Sequence, residues 1–353
     1  MFKLCVCPGD GIGPEVTKAA LAVFETVAGQ AGIEYQIQEA LIGGAAIDAS
    51  GVPFPDDSKE IATASDAVFL GAVGGDKWNS LPVEVRPERG LLALRSTLET
   101  YANLRPVQMF AGLEDMSPLR ADRMKNGIDM VIVRELTGGI YFGKRQEGDD
   151  VASDEEKYTR EEVTRIAHVA FQTAQTRDKR VTSVDKANVL ASSRLWRRVM
   201  EEVAQEYPEV ALDHLYVDNA AMQLIRDPGQ FDVMVTNNIF GDILSDEASV
   251  LVGSIGLLPS ASIGASKALY EPIHGSAPDI AGQGKANPVA AILSMAMLFT
   301  HSLKRKDLAE KIEKAVSTVL EGGERTGDLM QAGCQMRTTE QLTEAIVRYL
   351  ANN

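Results

Sequence analysis

The residues best placed to do chemistry lie between Asp232 and Glu247, in the run Asp-Val-Met-Val-Thr-Asn-Asn-Ile-Phe-Gly-Asp-Ile-Leu-Ser-Asp-Glu. Val233 to Thr236 reads as a short strand, the Asn237-Asn238 pair ends it, and from Gly241 the spacing turns helical. Asp242 and Asp246 then stand at i and i+4 on one helix face. Like charges so placed cost an isolated helix roughly a few tenths of a kcal/mol unless a cation sits between them, and paired carboxylates suit a hard ion such as Mg2+ or Mn2+. Two solvated acids on a surface helix would have the same spacing, so the pair alone leaves both readings open. A third acid, Asp218, follows an apolar run and precedes the helical stretch 220–225, which suggests a carboxylate at a strand-to-helix junction.

Three arginines also stand at element ends: Arg95 after Leu91-Leu92-Ala93-Leu94, Arg105 after Tyr101-Ala102-Asn103-Leu104, and Arg134 after Val131-Ile132-Val133. Each alone is an ordinary structural salt bridge; together, three guanidinium forks match a dicarboxylate or larger anion. Tyr141 follows a Gly138-Gly139 pair and Lys186 ends another strand-like run. A tyrosine hydroxyl can donate a proton, and a lysine in a desolvated, cationic site can accept one.

The elements that must position these groups alternate between strand and helix. Strands are expected at 67–71, 130–134, 181–184 and 215–217, and helices at 160–174 and 192–206, which argues for α/β architecture with much parallel sheet. At 353 residues the chain suits two domains or one large α/β unit. Residues 4–28 read as strand, loop and helix around Pro8-Gly-Asp-Gly-Ile-Gly-Pro-Glu15. That loop fails the dinucleotide fingerprint, lacking its third glycine and the acid about 20 residues on. The acidic, glycine-punctuated segment 140–158 reads as an excursion such as a hairpin arm. Residues 260–290 read as a ligand loop.

Composition excludes other classes. A formal net charge of -15 disfavours nucleic acid and anionic membrane surfaces, so an anionic substrate must meet a local cluster of arginines. Three cysteines form no metal or disulfide framework, and Cys5 and Cys7 alternate so as to face one side of a core. The N-terminal residues enter a strand without an apolar leader, and the longest apolar run, 288–300, is short of a span, so a buried core helix in a cytoplasmic protein is expected.

With these residues in hand, the whole chain resembles the isocitrate/isopropylmalate dehydrogenase family of β-decarboxylating dehydrogenases, and most of all its isopropylmalate branch. The matching stretches are Gly9 to Glu15, Tyr101 to Pro106, Arg134 to Gly143, Asp185-Lys186-Ala187-Asn188, Val217-Asp218-Asn219, Thr236 to Glu247 and Glu271 to Ile280. The resemblance implies a two-domain fold with a large mixed sheet flanked by helices, not a Rossmann fold. It divides the chain into a cofactor-side domain, 1–101 with 256–353, and a substrate, metal and dimerisation domain, 102–255.

It also implies a homodimer with active sites shared between subunits in an inter-domain cleft. Asp218, Asp242 and Asp246 would hold Mg2+ or Mn2+, with Asp218 and Lys186 coming from the other subunit. Arg95, Arg105 and Arg134 would grip the carboxylates of a small dicarboxylate substrate, while Tyr141 and Lys186 handle protons. Glu88, Leu91 and Leu92 would discriminate the substrate, the leucines walling an isopropyl group. NAD would lie along His274, Gly275, Ser276, Ala277, Asp279 and Asn287, Asp279 accepting from ribose hydroxyls and repelling a 2'-phosphate. The implied reaction is oxidative decarboxylation of 3-isopropylmalate to 4-methyl-2-oxopentanoate in leucine biosynthesis. A D-malate or tartrate dehydrogenase uses the same groups, and a silent regulatory subunit would lack them. Thr97 to Thr100 and Arg325 to Asp328 depart from the family pattern and read as surface variation.

Overall fold

The apolar run after Met1 becomes the strand Phe2–Gly9, buried from Leu4 to Cys7, in a computed structural model that describes residues 1–353. Pro14 sits in the first turn of the following helix, Gly13–Gln30, where its missing N–H has no helical partner to lose. Cys5 and Cys7 do face one side, their Sγ atoms 3.8 Å apart in a core with Ile42, Val68, Leu70, Leu94 and Leu269.

The chain forms two compact units, Met1–Thr100 with Phe110–Met116 and Ser254–Asn353, and Tyr101–Met109 with Ser117–Gly253. In the first, the strand order is Tyr35–Glu39, Phe2–Gly9, Ala67–Ala72, Ala268–Pro272, Pro259–Ile263. Its pairings are parallel except the last, which is antiparallel. In the second, the order is Ala102–Gln108, Asp129–Glu135, Val233–Thr236, Arg180–Asp185, Ala211–Tyr216, with only the first pair antiparallel. Ten principal strands with helices between them make a mixed α/β fold, and the antiparallel pairings depart from the all-parallel Rossmann order.

The helix Val289–His301 is buried from Val289 to Phe299, which explains its apolar run all the way round. No helix is long and apolar enough to cross a membrane. The helix packs on strands Pro259–Ile263 and Ala268–Pro272, and Ser260 N–H donates to Ser294 Oγ across that contact at 3.3 Å. Residues 260–290 are therefore not one ligand loop. Their small residues fill two buried strands that a helix approaches closely, joined by the short turn 264–267, and the longer loop lies beyond Pro272.

The surface reading of the two departing segments changes. Arg325 and Thr326 are buried, as are Leu98 and Thr100, so neither departing segment is simple surface. The segment 140–158 does carry a hairpin, Arg145–Gln146 paired antiparallel with Ser153–Asp154, both strands exposed.

Candidate active site

The buried strand Val233–Thr236 delivers the chain to Asn237, whose Oδ1 accepts from the Phe240 N–H at 2.9 Å and caps the helix Asn238–Leu251. The helix thus begins three residues earlier than its apolar spacing implies, because the cap is a side-chain hydrogen bond and not a hydrophobic period. Asn238, Asp242 and Asp246 follow at i, i+4 and i+8 along one face. A Cβ on Gly241 would lie 2.7 Å from Arg134 Cγ, so only glycine lets this helix approach the strand Asp129–Glu135 so closely.

Arg134, 3 % exposed, donates from Nε and Nη2 to Asn238 Oδ1 at 3.0 and 2.7 Å and from Nη1 to Asp242 Oδ1. Arg105 donates to Asn103 Oδ1 at 2.7 Å and to Ser245 Oγ at 2.6 Å. Its Nη2 lies 3.7 Å from Asp242 Oδ1 and its Nη1 3.6 Å from Asp246 Oδ1. Tyr141 Oη donates to Asp242 Oδ2 at 3.0 Å. Two guanidinium groups, two carboxylates and a phenol therefore share one patch.

Desolvation, and then the Asp242 charge, push the Tyr141 hydroxyl above its ordinary value, so it remains a proton carrier at neutral pH. Desolvation also raises the Asp246 carboxyl, Arg105 opposing it and Asp242 adding to it. That side chain is 64 % exposed, so the shift weighs less than the geometry.

Lys186 and Asp218 form a separate pair, Nζ to Oδ1 2.5 Å, and the hydrogen bond from Lys186 holds the Asp218 carboxyl below its usual range. Within one chain no group of three or more His, Cys, Asp or Glu could hold a metal ion. Asp242 and Asp246 offer two hard oxygen donors, which fit part of a Mg2+ or Mn2+ shell and leave the rest to other groups.

In the other unit, Glu88, Leu91, Leu92 and Arg95 fall at i, i+3, i+4 and i+7 along the helix Pro87–Thr97 and share a face. Leu91 is partly engaged in the core cluster, so it is not purely a ligand wall. Arg95 Nη2 meets Glu271 Oε1 at 2.6 Å, while its buried Nε has no partner.

The loop after Pro272 carries the residues assigned to cofactor. His274 is buried, its Nδ1 lies 3.0 Å from Gly275 O, and its Nε2 is buried without a partner. Desolvation pushes this imidazole below its ordinary value, leaving it neutral. Ala277 sits at φ +36°, a strained backbone of the kind found at ligand clamps. A Cβ on Gly275 would touch nothing, and Asp279 is exposed, so this side of the loop is open. Asn287 is held by Asp328 and by the Val289 N–H, both at 3.0 Å. An orphaned buried nitrogen and a strained, open loop fit a nucleotide. The Pro8 to Glu15 loop serves the same region differently: the Ile12 N–H donates to Ser276 O at 2.8 Å, and Gly11 leaves no room there for a Cβ.

Several participants carried no sequence assignment. Asn238 lies four residues before Asp242, a spacing that could have marked it. Glu135 and Glu271 lie inside recognised stretches and Asp328 in a departing one, but only the folded chain reveals what their carboxylates hold.

The chain is similar to known dehydrogenases along its whole length. The family model described as isocitrate/isopropylmalate dehydrogenase matches residues 3–346. The chain is 54% identical to a 3-isopropylmalate dehydrogenase of Heyndrickxia coagulans, over 100% of this chain and 97% of that one. It is 54% identical to one from Clostridium acetobutylicum, over 99% of each. Among solved structures, an isocitrate dehydrogenase from Methylococcus capsulatus superposes with a TM-score of 0.87 at 38% identity, over 99% of this chain and 100% of that one.

Proposed function

We propose that this chain, which belongs to the isocitrate/isopropylmalate dehydrogenase family, oxidises 3-isopropylmalate with NAD and releases CO2, a step of leucine biosynthesis. The observation that carries the reading is the convergence of Arg105, Arg134 and Tyr141 on the Asp242 and Asp246 face. The family and the names of its members imply a nicotinamide cofactor and a divalent metal in general.

Oxidation of a 2-hydroxy acid bearing a carboxylate one carbon further along gives a β-keto acid, and loss of CO2 leaves an enolate. Mg2+ or Mn2+, held by Asp242 and Asp246 with Asp218 of a second copy of the chain, would supply a Lewis acid for the developing charge. NAD, against His274, Ser276, Ala277, Asp279 and Asn287, would take the hydride. Arg105 and Arg134, with Arg95, present guanidinium forks to the substrate carboxylates. Lys186 of the second copy removes the hydroxyl proton, and Tyr141 returns a proton to the enolate carbon. Leu91 and Leu92 supply an apolar wall that favours an isopropyl group over a third carboxylate.

The proposal includes a cytoplasmic homodimer, which this division of labour requires. Met222 and Ile225 on the helix Val217–Arg226, and Ile243 and Val250 on the helix Asn238–Leu251, are each more than half exposed, an apolar face that a second copy would cover. NADH formation from isopropylmalate, D-malate and isocitrate, compared in parallel with Mg2+ present, tests the assignment. The highest kcat/KM is expected on isopropylmalate; a higher value on either rival would overturn it.

A further inference from the structure

The site in the second unit contains a residue that touches neither carboxylate of the metal face nor the phenol, yet joins the elements that carry them. We infer that Asn238 is a positioning residue that fixes Tyr141 and Arg134 relative to the helix bearing Asp242 and Asp246. The inference rests on the reading of Tyr141 as a proton-handling group.

Asn238 is 1 % exposed and uses every side-chain hydrogen-bonding site. Its Oδ1 accepts twice from Arg134, at 3.0 and 2.7 Å. Its Nδ2 donates to Leu136 O at 3.1 Å and to Gly138 O at 3.0 Å, the carbonyls of the turn that leads to Tyr141. Its backbone N–H, one of the helix's unpaired first-turn donors, donates to Tyr158 Oη at 2.9 Å. The amides of the same turn are held from the other side by Glu135, which accepts from the Thr137 N–H at 3.2 Å and the Gly138 N–H at 2.7 Å. Tyr158 Oη also lies 2.5 Å from where a Cβ of Gly139 would stand, so the turn is walled as well as bonded.

The chemistry selects asparagine. One side chain must accept from a guanidinium and donate to two carbonyls across four atoms, which aspartate cannot do because it has no donor, and leucine cannot do at all. Because Asn238 is the first residue of the helix Asn238–Leu251, the bonds refer Arg134 and the Tyr141 turn to the same rigid element as Asp242. A displacement of about 1 Å at a reacting group can cost on the order of 10²-fold in rate, so such a joint has kinetic consequences without touching substrate.

Asn238→Asp separates the two roles, since it keeps an acceptor for Arg134 and removes the donor to Leu136 O and Gly138 O. The variant is expected to keep KM for isopropylmalate within roughly threefold while kcat falls roughly 10- to 100-fold. In a Tyr141→Phe background the same change should cost less than roughly threefold, because a mispositioned group that is already absent cannot be lost again. An equal loss in both backgrounds, or a raised KM with kcat intact, would overturn the inference. Should Asn238→Asp not fold, Tyr158→Phe removes only the acceptor for the Asn238 N–H; its smaller kcat loss should likewise vanish with Tyr141→Phe, and persistence would overturn the claim. If Tyr141→Phe alone keeps full kcat, the proton assignment fails separately. A crystal structure of Asn238→Asp, or of Tyr158→Phe, then decides the positioning role: a displaced 136–142 turn with Arg134 in place supports it, and an unmoved turn ends it.

Discussion

Asp242 receives Arg134, Arg105 and the Tyr141 hydroxyl, so three groups of the site are set by one carboxylate. Asp242→Asn keeps the side-chain shape and removes the charge. Turnover should fall roughly 10²- to 10³-fold, the scale of losing a preorganised charge, while the thermal unfolding midpoint moves by only a few degrees. Full activity of the variant in the presence of chelator would remove Asp242 from the chemistry. In the other unit, Asp279 is exposed on the His274 loop. A 2'-phosphate about 4 Å from that carboxylate would be repelled by roughly 4 kcal/mol per unit charge pair at an effective dielectric of about 20, before screening. Even a quarter of that, about 1 kcal/mol, gives roughly a fivefold preference per unit charge, and a phosphate carries close to two, so NAD should exceed NADP in kcat/KM by at least about an order of magnitude. Asp279→Lys with Ile280→Tyr should narrow or reverse the gap, and equal use of both cofactors by the unaltered enzyme would take Asp279 away from the ribose.

At the scale of elements, the helix Val289–His301 ends in a histidine whose environment sets an acid limit on stability. Desolvation, with a smaller contribution from Lys304, pushes the His301 imidazole down to about 4, against about 6.5 in an unfolded chain. The folded form then binds a proton less readily than the unfolded form, so stability is unpenalised above about pH 6.5 and falls as pH drops toward 4. Asp10 and Glu135, raised by burial, have the opposite sign: their stability contribution is lost as pH rises through their folded values. His301→Gln isolates the histidine. Relative to the unaltered protein, its urea midpoint should rise between pH 7.5 and pH 5, and an unchanged difference would mean that His301 is not held neutral by the fold. Asn237 is the corresponding device at the start of the metal-face helix; Asn237→Ala should cost about 1 kcal/mol or more in chemical unfolding, because it removes the cap and the bond to Glu156 together.

At the scale of the molecule, Lys186 pairs with Asp218 and not with the Asp242 face of its own chain. If the pair serves a second copy, Lys186→Ala and Tyr141→Phe subunits are each inactive as homodimers, but a mixed dimer has one site with both groups. Equal mixing with free exchange should restore roughly a quarter of full activity, half of the dimers being mixed and half of their sites intact. No recovery after exchange proven by mass spectrometry would place both groups in one chain's site.

The local patterns were determined by sequence. The α/β alternation, the Asp242 and Asp246 spacing, the strand-to-helix junction at Asp218 and the buried helix after Pro288 follow from periodicity and turn chemistry, which act over a few residues and leave their mark there. The family was legible for the same reason, as short runs of unusual composition such as Arg134 to Gly143. What the tertiary structure decided are the bonds between residues far apart in the chain. Nothing near Asn238 announces that it will meet Gly138, nor near Glu271 that it will meet Arg95, because these contacts depend on which strands become neighbours. The two strands at 259–272 were missed because small residues suppress the period-2 signal, and they are small only because a helix from later in the chain lies against them.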